Sequence, residues 1–416
     1  MLATKAVTLK AFVTRRGLVA GLLALVVSLP CAAEIPDRTI RIGVLTDMGG
    51  ANADSSGEGS VVAAKLAAED AAASMPGITV SVVGADRQNK ADVASSIARD
   101  WIANQAINVI TDVPVSSAGL AVAEATRGQP RTVFIASGTG TSDLTGKQCS
   151  PNTLHWTYDS FANGSVVARA LSEEGAKTWF FITTDYALGH ALQRDTTGVI
   201  TSLGGKVLGA ALHPNFNSDF ASQLLSAQAS GADVIALANA TGDLVNTIKQ
   251  AHEFGISGGK QRFAATVMMI TDVQALGLEA AQGLYLAEPF YWDLNDGTRA
   301  FSARFAERMR GRKPTMIQAG VYSGVLNYLR ASQAVDSTEA AAVMAELRRT
   351  PPDDPVLGKG NVRPDGRVTH DFYLFQVKRP DQSKGAWNNY TLVRRIPGDL
   401  AFRPLQDGGC SLVPAP

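Results

Sequence analysis

The sequence predicts two similar α/β lobes in tandem, each a parallel sheet flanked by helices, joined by a three-strand hinge. Three observations carry this. Short apolar, β-branched runs alternate with amphipathic stretches along the chain, and strand–helix alternation implies parallel sheet with right-handed crossovers. The alternation restarts at an offset of about 125–140 residues. The roughly 383 residues that remain beyond an export leader also exceed one ordinary core.

The first half reads as strands at 40–46, 78–84, 108–112 and 131–136, with helices at 58–74, 91–104 and 117–127. In the first helix Val61, Val62 and Leu66 fall at helical spacing, with Lys65, Glu69 and Asp70 largely on the other face. The second half repeats this with strands at 178–184, 206–212, 233–239 and 262–268 and helices at 160–174, 188–202, 219–229 and 242–254. Ile107-Asn108-Val109-Ile110 is echoed by Ala232-Asp233-Val234-Ile235, and Thr39–Thr46 by Lys177–Thr184. One more strand, helices at 298–311, 315–334 and 338–349, and a β-rich end around Phe372–Val377 have to complete both lobes. The chain is therefore expected to cross between them about three times, near 154–158, 285–290 and 355–362. The resulting partition is 34–156 with 287–358 for the first lobe, and 157–286 with 359–416, including a C-terminal tail, for the second. Two lobes on such a hinge are built to close on a ligand.

The first 33 residues carry Lys5, Lys10, Arg15 and Arg16, no acid, an apolar run from Leu18 to Leu29, and small residues suited to cleavage after Ala33. The apolar run is short for a membrane span. Thr14-Arg15-Arg16-Gly17-Leu18 is also compatible with the twin-arginine route. An α/β chain sent out of the cytoplasm leaves nucleotide cofactors behind, which favours binding over catalysis. Charges balance over the whole chain at 38 basic and 38 acidic residues, so loss of four leader bases leaves the mature protein near −4. That argues against nucleic acid or an anionic membrane as partner. Cys149 and Cys410 are the cysteines left after the leader, and an oxidising compartment favours a bridge. There is no CxxC, and the five histidines are scattered, so no metal is expected, and no cofactor either.

Enzyme motifs are missing. Gly57-Glu58-Gly59 lacks the third glycine of a dinucleotide loop. Gly320 to Gly324 has the wrong spacing for a nucleophile elbow. There is no GxxxxGK[ST] loop and no HExxH. A secreted hydrolase is the alternative from a different class.

The order of segments resembles a known family. A strand and Gly-rich loop precede a long helix, Ser116-Ser117 stand at a helix start, and Ala136-Ser137-Gly138-Thr139-Gly140-Thr141-Ser142-Asp143-Leu144-Thr145 follows a strand. Thr184-Asp185-Tyr186-Ala187-Leu188-Gly189, Gly283-Leu284-Tyr285 and Arg363-Pro364-Asp365-Gly366-Arg367 come later. Together these resemble type I periplasmic binding proteins of ABC importers, in the leucine/isoleucine/valine-binding branch, with an aromatic-acid-binding branch as a possible affiliation. The resemblance implies two Rossmann-like lobes, a periplasmic monomer, a small-molecule ligand between the lobes, and permease and ATPase subunits as partners. An amide- or ligand-sensing subunit on the same fold is a further alternative. The resemblance also implies a Cys149–Cys410 bridge, since its subfamily carries a cysteine before Ser-Pro and another near the C-terminus.

The ligand of that family sits where strand carboxyl ends and helix N-termini converge. Val115-Ser116-Ser117 precedes a predicted helix, and Ser137-Gly138-Thr139 is read the same way. Unpaired N–H groups, a partial positive charge and hydroxyls suit a carboxylate there, although Ser116 and Ser117 could equally cap their helix. Tyr186 matches the family's second-lobe tyrosine over the ligand. Asn239 and Thr241 follow a second-lobe strand, and Asn52 lies on the loop 47–54 expected to edge the cleft. Where amino-acid binders place a Glu for the ligand's ammonium, this chain has Met268 and Met269. An unpaired buried ammonium is costly, so the expected ligand is a small carboxylate with an aromatic or keto-acid body. Asp243 or Asp272 remains able to restore the amino-acid reading. Trp156, Tyr158, Tyr291 and Trp292 fall near predicted hinges, as ligand wall or hinge packing.

Overall fold

A computed structural model of the protein describes residues 35–256 and 259–414. The leader expected over 1–33 lies outside the described residues. Two main sheets organise the chain. The first takes β1 (Thr39–Thr46), β2 (Thr79–Asp86), β3 (Val109–Asp112), β4 (Val133–Ala136) and β5 (Thr153–His155), in the order β2-β1-β3-β4-β5, all parallel. Helices α1 (Gly57–Ala72), α2 (Ala91–Asn104) and α3 (Ser116–Thr126) join its strands.

The second sheet begins after α4 (Ser160–Glu173). It takes β6 (Thr178–Thr184), β7 (Lys206–His213), β8 (Val234–Ala238), β9 (Arg262–Ala265) and β10 (Tyr285–Glu288), linked by α5 (Ala187–Ser202), α6 (Ala221–Ala229), α7 (Thr241–Glu253) and the short α8 (Ile270–Leu276) and α9 (Leu278–Ala281). The chain then leaves for α10 (Asp296–Arg308), α11 (Met316–Ala334) and α12 (Ala340–Arg349). Of these, α11 lies along α1 and over β3 of the first lobe. Two short antiparallel pairs follow, β11 (Asp353–Asp354) with β12 (Gly358–Lys359) and β13 (Asn361–Val362) with β14 (Val368–Thr369). Finally β15 (Phe372–Val377) and β16 (Tyr390–Ile396) add antiparallel strands to the second sheet, giving β16-β15-β10-β9-β8-β6-β7. The short α13 (Gly398–Ala401) packs on α4.

The central strands are buried on both faces because helices cover both sides. β3, β4 and β8 have no residue reaching solvent, which explains their continuous apolar runs. The chain thus passes between the sheets after β5, after β10 and after β14. The first and third crossings are clamped together by Arg367. Its Nε donates to Val368 O at 3.0 Å, its Nη2 to Thr157 O at 2.9 Å, and its Nη1 to Tyr158 O at 3.3 Å and Asp159 Oδ2 at 3.2 Å. Gly366 (φ 83°) turns against Thr153 O, where a side chain would collide, and His155 N donates to Gly366 O.

Residues after Arg403 leave the second lobe and lie along the 142–149 loop of the first, a course that differs from the expected second-lobe placement of the whole C-terminal segment. Arg403 Nη2 donates to Ser142 O at 3.0 Å, and Cys410 is disulfide-bonded to Cys149, 261 positions away. Among the described residues no helix is long and apolar enough to cross a membrane, and no group of three or more His, Cys, Asp or Glu is placed to hold a metal ion.

Candidate functional site

The carboxyl ends of the strands of both lobes face one cleft, whose empty space, the open solvent at its mouth included, is about 530 Å³. Every wall residue but one follows a strand. Ala51 and Asn52 come after β1, Val115 and Ser116 after β3, Gly138 and Gly140 after β4, and Tyr158 after β5. Tyr186 and Leu188 follow β6, Asn215 and Phe216 follow β7, Ala240 and Thr241 follow β8, and Val267 and Met269 follow β9. Ile317, at the start of α11, completes the wall. No charged side chain is among them. Four helices of at least nine residues begin at this wall, α3 and α11 from the first lobe and α5 and α7 from the second, and all but α11 lack a side-chain cap. Their free N–H groups make the cleft electropositive without a cationic side chain.

The first-lobe wall is under backbone strain. Asp112 (φ 76°), Val113 (φ 52°) and Val115 (φ 74°) occupy the left-handed region, which a β-branched residue adopts only at a cost. Across the cleft Thr241 (φ 52°) and Phe216 (φ 62°) do the same. The strain places Ser116 at the first turn of α3, fully buried and on the wall, with its Oγ making no hydrogen bond to the protein. Gly138 lies against it because Asp112 Oδ1 and the Pro114 backbone come within 3.0 Å of where a Cβ would stand.

Behind this wall lies a buried polar layer. Burial pushes Asp112 up to about 6, against the pull of the Thr46, Ser60 and Ser56 hydroxyls and of Arg87. Arg87 is itself fully buried; its Nη2 donates to Asn89 Oδ1 at 2.9 Å and lies 3.9 Å from Asp47 Oδ2. Asp47 in turn fixes the cleft-edge loop by accepting from Gly50 N and Asn52 N at 2.7 and 2.9 Å. Asn52 lines the cleft with its Nδ2 donating to Asp47 Oδ2 and Asn89 Oδ1, both at 3.4 Å.

Of the residues singled out from the sequence, Asn52, Val115, Ser116, Gly138, Tyr186 and Thr241 meet at the cleft. Five do not line it. Ser117 is exposed. Ser137 is buried behind the wall, and its N–H, like that of Gly138, goes to Asp112 O at 3.3 and 2.9 Å. Thr139 donates its hydroxyl to Val113 O at 2.8 Å and its carbonyl lies 2.6 Å from His155 Nε2. The segment after Ser137 forms only a four-residue 3-10 turn, Ser142–Thr145, rather than the helix expected. Asn239 is held beneath the surface by His213 and Thr247. Met268 packs in the second-lobe core while Met269, the N-cap residue of α8, takes the wall.

The two acids held in reserve as ammonium partners are engaged elsewhere. Asp243 accepts Phe216 N and Asn217 N at 3.1 and 2.9 Å. Asp272 accepts Met269 N at 2.8 Å, and burial pushes its carboxyl up to about 6. Of the hinge aromatics only Tyr158 reaches the cleft, its hydroxyl donating to Gly138 O at 3.1 Å. Trp156 donates to Ser323 Oγ, and Tyr291 and Trp292 both donate to Trp387 O. Sequence reasoning missed Asn215 and Phe216, although they follow a run read as a strand. Ile317 carries no local signal, since only the tertiary packing of α11 brings it in.

The family profile described as periplasmic binding protein matches residues 39–386. Among solved structures, the chain is similar to a periplasmic binding protein of Burkholderia mallei, at 42% identity and a TM-score of 0.86, covering 90% of this chain and 99% of that one. It is similar to a branched-chain amino acid ABC transporter periplasmic ligand-binding protein of Burkholderia xenovorans, at 36% identity and 0.82, with the same coverage. A solute-binding protein of Rhodopseudomonas palustris in complex with 3,4-dihydroxybenzoic acid shares the fold at 20% identity and 0.77, over 87% of this chain and 98% of that one. Among curated protein sequences nothing matches.

Proposed function

The chain belongs to the periplasmic binding proteins, the solute-binding components of ABC transporters, and on that premise we propose that it captures a small carboxylate with an aromatic or keto-acid body and delivers it to permease and ATPase subunits as a monomer. Members of this family bind substrates and are not enzymes. The observation that supports the ligand class is the Ser116 hydroxyl, buried and unpartnered at the N-terminus of α3, in a wall that carries no charged side chain. Helix N–H groups and a hydroxyl satisfy a carboxylate. Tyr158, Tyr186, Leu188, Val267, Met269 and Ile317 offer an apolar bed for the rest. A ligand touching both lobes favours the closed arrangement, so binding drives closure.

A zwitterionic amino acid is the second reading, favoured by the 36%-identical relative named for branched-chain amino acids. A sensor role would leave the cleft chemistry unchanged and differ only in the partner.

A thermal-shift screen of aromatic acids, keto acids, amino acids and amides on the mature protein identifies the class. Calorimetry on Ser116→Ala with the best hit then tests the anchor. A lost charge-assisted hydrogen bond weakens affinity about ten- to a hundredfold. An unchanged affinity would assign the carboxylate to some other part of the wall.

A further inference from the structure

Phe216 is the most exposed large hydrophobic side chain among the described residues, at 67%, and it lines the cleft. Its backbone is left-handed (φ 62°), an unfavourable conformation for an aromatic residue. The loop nevertheless is held firmly. Asp243 accepts the N–H groups of Phe216 and Asn217 with its two oxygens. Asn246 Nδ2 donates to Asn217 O at 3.5 Å, and Gln250 closes the loop by donating to Ser218 O at 2.9 Å and accepting from Phe220 N at 2.7 Å. These three polar residues stand at positions i, i+3 and i+7 of α7, one face of one helix. The same helix begins with Thr241 at the ligand wall. Three side chains of α7 and a strained backbone thus hold an exposed aromatic ring at the cleft, on a loop fastened to the helix that begins at the ligand wall.

We propose that Phe216 is a specificity-determining residue, its ring covering the apolar body of the bound acid at the cleft mouth and favouring ring-bearing over aliphatic carboxylates. This rests on the carboxylate reading of the cleft. A pre-positioned ring loses little conformational freedom on binding, and aromatic pairs gain beyond the area they cover.

The test is calorimetry of wild type, Phe216→Ala and Phe216→Gly with 3-phenylpropanoate and 4-methylpentanoate. Alanine keeps the left-handed strain and glycine relieves it, so a loss common to both variants belongs to the ring. The expected result is a loss of about tenfold or more for 3-phenylpropanoate in both variants and a much smaller loss for 4-methylpentanoate. Equal losses for the two acids, or none, with wild type binding 3-phenylpropanoate, overturn the role of Phe216 and leave the carboxylate reading standing. Wild type binding neither acid overturns both. Thermal melting of the variants checks the fold, which an exposed side chain is not expected to disturb.

Discussion

Replacing Arg367 with Met is expected to cost about 3–5 kcal/mol, the range for breaking one partner out of a buried ion pair. The guanidinium and the Asp159 carboxylate are 1% and 3% exposed, and the arginine also donates to the carbonyls of Thr157 and Tyr158. Its Cζ lies 4.4 Å from the Phe402 ring centroid. The substitution removes every one of these contacts and strands Asp159, whose remaining bond is from Ala162 N at 2.7 Å. The pH dependence has a definite sign. Burial raises the Asp159 pKa, but Arg367, His155 and that N–H outweigh it and hold the carboxyl below its usual value. A depressed carboxyl contributes stability that is present above its unfolded value of 3.8 and is lost as pH falls through the folded value. The penalty of the variant should therefore be full at pH 7 and shrink below about pH 4. Urea unfolding at the two pH values measures this. A variant as stable as wild type at pH 7 would remove Arg367 from its place as the clamp between the hinge crossings.

Serine at either Cys149 or Cys410 is expected to destabilise by up to roughly 5 kcal/mol on the chain-entropy account, and by about 2–4 kcal/mol in practice. The bond ties the end of the chain to the first lobe across 261 positions, and Arg403, which donates to Ser142 and accepts from Arg363 Nη1 at its carbonyl, holds the start of the tail without it. Single and double variants should lose the same amount, because each removes the one bond. Unequal losses, or two free thiols in periplasmic material by mass spectrometry, would contradict the bridge.

The alternation of strands and helices was legible because the central strands are buried on both faces and helices such as α2 and α7 on one. β6 runs over 178–184, the span read from its apolar run. What escaped were elements whose identity depends on tertiary pairing. β16 is exposed along most of its length, without buried–exposed alternation, and exists by pairing with β15. β5 is three residues long and was read as hinge. The site was half legible for a similar reason. Strand ends point at the cleft by topology, so Ser116, Tyr186 and Thr241 could be named. The path of the connection between β9 and α8 then decides which of two neighbours faces it, and that separated Met269 from Met268. The hydroxyl of Thr139 was indistinguishable in sequence from that of Ser116. Only the strained turn at Val113 shows that one is consumed by the backbone while the other is left free.

The central claim is that the cleft holds a carboxylate and offers no partner to an ammonium. Isothermal calorimetry on two matched pairs tests it: 3-phenylpropanoate against L-phenylalanine, and 4-methylpentanoate against L-leucine. Within each pair the ligands differ only by the ammonium group. An ammonium buried against uncharged walls costs several kcal/mol, so the account predicts that within whichever pair binds, the simple acid is tighter by at least about tenfold. Tighter binding of the amino acid in either pair would contradict it, and would direct attention to Asp272 behind Met269 as the counter-charge.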